Sequence, residues 1–420
     1  YTSLADLDES LANIDLKALV ETLIGDAPET VIVTTPKFYA AFDSVINEEN
    51  MPLIRDWMLV HSIRSLAEYC SSDAIAILGA FSNLLTGQTE PIPPNVTAFA
   101  AVRSLYSEVV GLYYGEKYFG PEAKADVTAM VEQMIETYRE RLTANTWLSE
   151  ETRIKALRKL DTMALQIGYP DKIDPLYDEL LIDSAAEGGT YAGNLLRIQR
   201  LAIQDMMDRF YEESDRDLWI ISADTVNAMY NPQMNSIVFP SAILQAPFYS
   251  LSQSESMNYG GIGAVIAHEI SHAFDPNGAK FDENGAMTDW WLPEDYAKFE
   301  ELSQRMVEVF DGLPYKEFTV NGTLTLGENV ADAGGLGCAL QVVQSLPEPD
   351  LQAFFINWAT IWRQKTYDQV EGILITIDTH APNKIRANLQ PAMLDAFYEA
   401  FDIIEGDPMY RAPEDRVAIW

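Results

Sequence analysis

The chain has 420 residues, of which 64 are Asp or Glu and 28 are Lys or Arg, so its net charge is −36 at neutral pH. This length predicts two or three domains, and 48% of apolar residues is typical of a globular protein. A surface with so large a negative charge repels phosphate backbones, which excludes nucleic acid as an expected partner.

Cysteine content and hydropathy exclude two further classes of protein. The chain has two cysteines, Cys70 and Cys338, which are too few and too far apart in sequence for a disulfide framework. No apolar run approaches the roughly 18 residues of a membrane span, so we expect none in this chain. A zinc site in this sequence would have to use histidine and carboxylate ligands rather than cysteine.

In chain order, the predicted elements are first helical and then mixed. Apolar residues recur at helical spacing over 1–25 and 121–142, and Ser149 is a good N-cap for a further helix. Segments 225–230 and 235–239 have the composition of short β-strands. The sequence therefore predicts a mainly α-helical fold with short β segments.

The change in texture also suggests a division into domains. We predict a helical domain over residues 1–150, a linker helix region over 151–175, and a mixed domain over 176–420.

The most informative motif is His268-Glu269-Ile270-Ser271-His272, in a chain with only four histidines. Residues four apart share one face of a helix, so both imidazoles can bind one cation. Glu269 lies about 100° round the helix axis, where it can reach a water without binding the metal. The alternative is a pair of ordinary histidines on an amphipathic helix.

A catalytic zinc site needs a third protein ligand. The pattern with a third histidine downstream does not apply, because Asp275 and Gly278 occupy the two positions that would be Gly and His. Glu328 and Asp332 are four residues apart and can share a helix face. Glu328 could bind the metal while Asp332 accepts a hydrogen bond from a ligating imidazole.

In this order, the motifs resemble the neprilysin-like zinc metallopeptidases, in the style of the family's bacterial oligopeptidases. The similarity extends over most of the chain and also rests on residues 226–230, 258–263, 289–291 and 409–420. It implies a thermolysin-like zincin catalytic domain at 176–420 and a partial helical lid domain. The implied activity is zinc-dependent endopeptidase cleavage of oligopeptides before hydrophobic residues.

The resemblance also implies a role for each candidate residue in the reaction. One zinc ion would be bound by His268, His272 and Glu328. Glu269 would be the general base, and Asp332 would support a ligating histidine.

The same resemblance implies a set of residues that bind the substrate or the oxyanion. His380 would stabilise the oxyanion of the tetrahedral intermediate. The substrate-binding residues would be Asn227 and Ala228 for the peptide backbone, Arg386 for a carbonyl, and Phe248, Val265, Ile270 and Trp362 for an apolar pocket.

Two departures from the family pattern qualify this expectation. Family members carry a substantial segment before the point where this chain starts, so we expect the front of the helical domain to be missing. A missing N-terminal segment or a companion chain would then be a partner, besides oligopeptide substrates. The second departure is the low cysteine count, which allows a cytoplasmic location in a bacterium and equally a cell-surface or secreted one. Among these locations we expect the cytoplasm slightly ahead of the others.

A second class of function stays open at this point. The chain could be a non-catalytic peptide-binding or adhesin-type protein that retains the zinc site.

Overall fold

The computed structural model describes residues 1–67, 69, 71–88, 90, 92–213 and 215–420, so Cys70 lies outside the described residues. The described chain is mainly helical with short strands, as predicted. The helices, in chain order, are α1 Leu4–Glu9, α2 Leu16–Ile24, α3 Pro36–Val45, α4 Met51–Ala67, α5 Ser72–Thr86, α6 Pro94–Leu105, α7 Ser107–Tyr118, α8 Gly120–Ala144, α9 Glu150–Asp161, α10 Leu176–Glu179, α11 Tyr191–Asp208, α12 Glu255–Asn258, α13 Ala264–Ser271, α14 Pro293–Phe310, α15 Leu326–Ser345, α16 Leu351–Ile361, α17 Asp368–Ile377, α18 Asn383–Leu389 and α19 Asp395–Phe401.

The strands are short, and they form one three-stranded sheet and two small hairpins. Their bounds are β1 Thr2–Ser3, β2 Thr30–Val31, β3 Ala164–Gly168, β4 Met229–Asn231, β5 Ser236–Pro240, β6 Pro314–Tyr315 and β7 Phe318–Thr319. In the sheet, β5 pairs in parallel with β3 and antiparallel with β4. The strand order is β3-β5-β4, so β4 is an edge strand.

The chain forms two compact units. Unit 1 comprises Tyr1–Pro91 and Asp174–Glu213, and unit 2 comprises Ile92–Ile173 and Ser214–Trp420. Unit 1 contains the first five helices together with α10 and α11. Its helices α3, α4 and α5 have no buried residues. The units are groups of residues that lie close together, and they do not test the boundaries predicted along the sequence. The division at residues 150 and 175 therefore stays a prediction.

Unit 2 has a large apolar core built around four helices. Helix α8 carries a fully buried face that includes Val131, Met134 and Tyr138. This face packs against α13 and α15. Helix α16 packs against the turn Tyr259–Gly263, which precedes α13. Cys338 of α15 is a buried free thiol in this core.

Helix α9 begins where the sequence predicts it. The Oγ of Ser149 accepts a hydrogen bond from the backbone N–H of Thr152 at 3.3 Å, which satisfies one free donor of the first turn.

Among the described residues, no helix combines the length and apolar character needed to cross a bilayer.

Candidate metal centre and active site

Two closely packed helices, α13 and α15, carry the predicted ligands. A π-helical turn at Tyr259–Gly263 leads directly into α13. A Cβ on Gly335 of α15 would lie 2.6 Å from the backbone nitrogen of His268. The absence of a side chain at this position therefore lets the two helix backbones approach closely.

This packing places three potential ligand atoms together. The Nε2 atoms of His268 and His272 are 3.0 Å apart. Each lies 3.3 Å from Oε2 of Glu328, in the first turn of α15. The three atoms thus converge on one point from two rigid elements.

Aspartate side chains fix the other nitrogen of each imidazole. His268 Nδ1 is 2.9 Å from Oδ1 of Asp332, and His272 Nδ1 is 2.8 Å from Oδ2 of Asp275. Asp275 is itself held, because its Oδ1 accepts backbone N–H bonds from Asn277 and Gly278. Such carboxylates orient the ring and select the tautomer that leaves Nε2 free for a metal.

The electrostatics of the site are those of a cation site. Burial opposes ionisation of Glu328, but the surrounding imidazoles outweigh it and hold its pKa far below the usual range. Its Oε2 is buried and accepts no well-directed hydrogen bond. Two imidazole nitrogens and one carboxylate oxygen are a donor set that zinc binds in hydrolytic sites. The residues therefore fit one zinc ion.

His380 borders the same point from the loop after α17. Its Nε2 is 3.1 Å from Glu328 Oε2, and its Nδ1 is 2.8 Å from Oδ1 of Asp378. Ligand atoms of His268, Glu328 and His380 also lie within 4.8 Å of one another. His272 follows α13 directly, whereas the His380 side chain is 42% exposed at the cavity wall.

The remaining predicted polar residues also lie at this site. Glu269 is buried and lines the same cavity as the imidazoles. Arg386 is paired with Asp332 through two hydrogen bonds, Nε to Oδ2 and Nη2 to Oδ1, both 2.7 Å long. Its guanidinium carbon lies 3.8 Å from the centre of the Trp362 ring. Nη1 of Arg386 is outside the ion pair.

A cavity of about 540 Å³ connects these groups. Asn227 and Ala228, just before edge strand β4, form part of its wall. The apolar part of the wall includes three of the four residues predicted for the pocket, Phe248, Val265 and Trp362, together with Ile243, Trp358 and Leu374.

The fourth predicted pocket residue, Ile270, does not line this cavity. Its side chain is fully buried in the core of unit 2. The reason is helical geometry, since Ile270 lies about 200° round the axis from His268. Asp378, in contrast, lies at this site and contacts His380, although no motif predicted a role for it. Its only signal was its position two residues before His380.

Comparison with known proteins matches most of the chain to one family. The model for Peptidase family M13 matches residues 227–417, and the N-terminal model of the same family matches residues 1–170. The chain is 46% identical to the neutral endopeptidase of Lactococcus lactis subsp. lactis, over 97% of this chain and 64% of that protein.

Solved structures agree with the sequence comparison. PepO from Lactobacillus rhamnosis superimposes with a TM-score of 0.93 at 36% identity, over 100% of this chain and 66% of that one. An inhibitor complex of the zinc metalloprotease ZMP1 of Mycobacterium tuberculosis gives 0.87 at 33% identity, over 100% of this chain and 65% of that one. These matches show a mainly helical, thermolysin-like zincin with a helical domain.

One expectation needs correction. The front of the family pattern was expected to be missing, but residues 1–170 match the family's N-terminal model. The early helices are thus part of that pattern. The chain spans 64% of the length of the curated relative.

Proposed function

This chain belongs to peptidase family M13, and we propose that it is a zinc-dependent endopeptidase that hydrolyses oligopeptides on the N-terminal side of hydrophobic residues. The observation that carries the proposal is the convergence of His268, His272 and Glu328, whose three ligand atoms lie within 3.3 Å of one another beside an open cavity. The buried Oε2 of Glu328, without a hydrogen-bond donor, supports a bound cation there.

The carboxylate of Glu269 would transfer the protons of the reaction. A zinc ion held by these three residues would acidify a water and polarise the scissile carbonyl. Glu269 would accept the proton of the attacking water and deliver it to the leaving amine. This role needs a carboxylate that lines the cavity without being a ligand, and the position of Glu269 in the cavity wall supports it.

His380 and Arg386 would act on the carbonyl side of the substrate. Carboxylates contact both ring nitrogens of His380, Asp378 at Nδ1 and Glu328 at Nε2, which supports a doubly protonated imidazole whose Nε2 could donate to the developing oxyanion. Arg386 is anchored by Asp332 through Nε and one N–H of Nη2, so Nη1 and the second N–H of Nη2 would remain to donate to a substrate carbonyl. Asp332 would thereby orient both His268 and Arg386.

The substrate would bind along the edge of the sheet. Strand β4 is an edge strand, and Asn227 and Ala228 precede it in the cavity wall, so their backbone and amide groups could extend the sheet by a substrate strand. The apolar wall formed by Phe248, Val265 and Trp362 supports a preference for a hydrophobic side chain after the scissile bond.

The test is cleavage of a mixed oligopeptide pool by the zinc-loaded chain, analysed by mass spectrometry beside Glu269→Gln. We expect cuts before apolar residues in the parent and a rate at least about 100-fold lower in the variant, because the base is lost. Zinc content should be equal in both proteins, because Glu269 is not a ligand. A variant that cuts at the parent rate would contradict the role of Glu269.

The same experiment distinguishes the alternative function. A zinc-loaded parent that binds peptides but cuts none would indicate a non-catalytic peptide-binding protein.

A further inference from the structure

Residues 226–228, in the wall of the active-site cavity, lie outside the paired length of the sheet. The ladder between β4 and β5 begins at Met229, which is opposite Val238. Before that point, the N–H of Asn227 donates to the carbonyl oxygen of Thr225 in a local turn. The position of residues 226–228 therefore depends on what holds the chain immediately before them.

One arginine of α6 anchors the chain immediately before this segment. Nε of Arg103 donates to Oδ2 of Asp224, and Nη2 donates to the carbonyl oxygen of Asp224 at 3.2 Å and to Oγ1 of Thr225 at 3.1 Å. The side chain of Asp224 is 9% exposed, whereas that of Arg103 is 38% exposed. The guanidinium thus binds two consecutive residues and compensates a nearly buried charge.

Helix α7 also packs closely against residues 222–225. Oγ of Ser222 lies 2.6 Å from Oδ1 of Asp224 and 2.8 Å from the carbonyl oxygen of Ser107, so its single proton can serve either acceptor. A Cβ on Gly111 would lie 2.8 Å from the backbone nitrogen of Ala223, which is buried. Contacts from α6 and α7 therefore fix residues 222–225, and the next three residues connect this anchor to β4.

We propose that Arg103 and Asp224 are positioning residues for the substrate: their ion pair holds residues 226–228 where Asn227 and Ala228 bind the peptide backbone. This inference rests on the proposed function, because it takes binding along the sheet edge from there. Neither residue of the pair lines the cavity, so the pair acts only through the chain that it anchors. Without the pair, residues 226–228 would have to be ordered by the substrate, and this ordering costs binding free energy.

Peptide binding is measured by fluorescence anisotropy, with zinc-loaded Glu269→Gln as the reference protein so that turnover does not consume the peptide. The probes are a fluorescent peptide with a central Leu and analogues in which an ester replaces one backbone amide near this Leu, which removes a single N–H. The ester penalty is the ratio of the dissociation constants of ester and peptide. In the reference protein, at least one ester should have a penalty of about fivefold, the size of one net hydrogen bond.

Removal of the anchor should lower both the affinity and the ester penalty. When Arg103→Met is added to the reference protein, we expect the peptide to bind about fivefold more weakly and the penalty to fall toward unity, because the partner of the deleted N–H is no longer held in place. Asp224→Ala tests the same prediction without leaving a buried carboxylate unpaired.

Controls separate positioning from general destabilisation. The combination of Arg103→Met with Asp224→Ala should cost no more affinity than either change alone, because both residues act through one ion pair. Arg139→Met breaks an ion pair with Asp161 in the same unit at similar arginine exposure, and it should keep the full ester penalty. Zinc affinity and the circular dichroism spectrum should be the same in all these proteins, because the proposed zinc ligands lie on other elements.

The inference and the proposed function fail in different ways. An ester penalty that survives both Arg103→Met and Asp224→Ala, no penalty or no binding in the reference protein, or a loss of zinc together with the penalty overturns the positioning role. Cleavage of the peptide pool by the parent, together with a surviving penalty, overturns this inference alone. A penalty that depends on the ion pair, with no cleavage by the parent, supports the positioning role and contradicts the peptidase activity.

Discussion

Each of the three imidazoles around Glu328 is held at Nδ1 by a different aspartate. Asp332 comes from the same helix as Glu328, Asp275 from the loop after α13, and Asp378 from the loop after α17. Because Nδ1 is engaged in every case, Nε2 is the nitrogen presented to Glu328. The geometry therefore depends on carboxylates from separate elements, and not on the histidines alone.

Glu328→Ala should lose zinc, because it removes the proposed carboxylate ligand. The Nε2 atoms of all three imidazoles lie within 3.3 Å of its Oε2. We expect zinc affinity to fall at least about 100-fold, more than for loss of an orienting partner. The measurement is a chelator competition titration with metal analysis after dialysis. Glu348→Ala, an exposed carboxylate after α15, is the control. Full zinc occupancy in Glu328→Ala would indicate that His380 completes a different ligand set.

Lys159 stabilises the loop that carries Asp275. Its buried Nζ donates to the carbonyl oxygens of Ala273, Gly278 and Phe281 at 2.9, 2.8 and 2.6 Å. Burial lowers the pKa of Lys159 to about 7, although the carboxylates of Asp275, Asp282 and Glu283 counteract this shift. Folding of this loop therefore changes the pH range in which the Lys159 amine is protonated.

The coupling predicts a pH dependence of stability. The rings of Tyr230 and Trp290 also face the Lys159 amine. Below pH 7 the amine is protonated in both folded and unfolded chains. Between about pH 7 and its ordinary value of 10.5, the unfolded chain binds more protons, so the free energy of unfolding rises with pH by up to ~1.4 kcal/mol per unit.

Lys159→Met should remove this rise. Urea unfolding of the zinc-free proteins at several pH values between 7 and 9.5 measures it, followed by tryptophan fluorescence. Lys155→Met, one turn earlier on α9 and half exposed, is the control and should keep the parent slope. Equal slopes for the parent and Lys159→Met would contradict the lowered pKa.

At the scale of elements, local signals were predictable and long-range placement was not. The cap at Ser149 and the spacing of the histidines act within a few residues, so the sequence contains them. Residue spacing also decides which side chains lie on each face of helix α13, and Ile270 could have been assigned to the core on that basis. The role of Asp378 depends on loops that are brought together only by the packing of α15 to α18.

The close contact of α13 and α15 makes a prediction about glycine. Gly335→Ala should destabilise the protein by about 1–3 kcal/mol, because the new methyl would lie 2.6 Å from backbone of α13. Zinc affinity should fall as well, because α15 carries Glu328. Gly337→Ala, two residues later, would meet only the end of the Arg141 side chain and should gain up to about 1 kcal/mol from helix propensity. Thermal unfolding and zinc titration of both variants measure the difference, and equal stability would contradict the tight contact.

At the scale of the whole molecule, the two units differ in how much apolar surface they bury. In unit 1, Leu53, Trp57 and Phe81 each expose at least 60% of their surface. In unit 2, α8, α13 and α15 have faces that are completely buried. Since burial of apolar surface is the main source of folding free energy, unit 1 should be the less stable part of the described chain.

This difference predicts unfolding in two steps. All tryptophans except Trp57 lie in unit 2, whereas helices in both units contribute to circular dichroism. On heating, an early loss of helical signal should therefore precede the main change in tryptophan fluorescence. The proposed zinc ligands all lie in unit 2, so zinc at about 100 times its dissociation constant should add ~2.7 kcal/mol to the stability of unit 2 alone. EDTA should thus lower the later transition alone, and should have no effect on Glu328→Ala. A single transition that both signals report together, shifted as a whole by EDTA, would mean that the two units unfold as one.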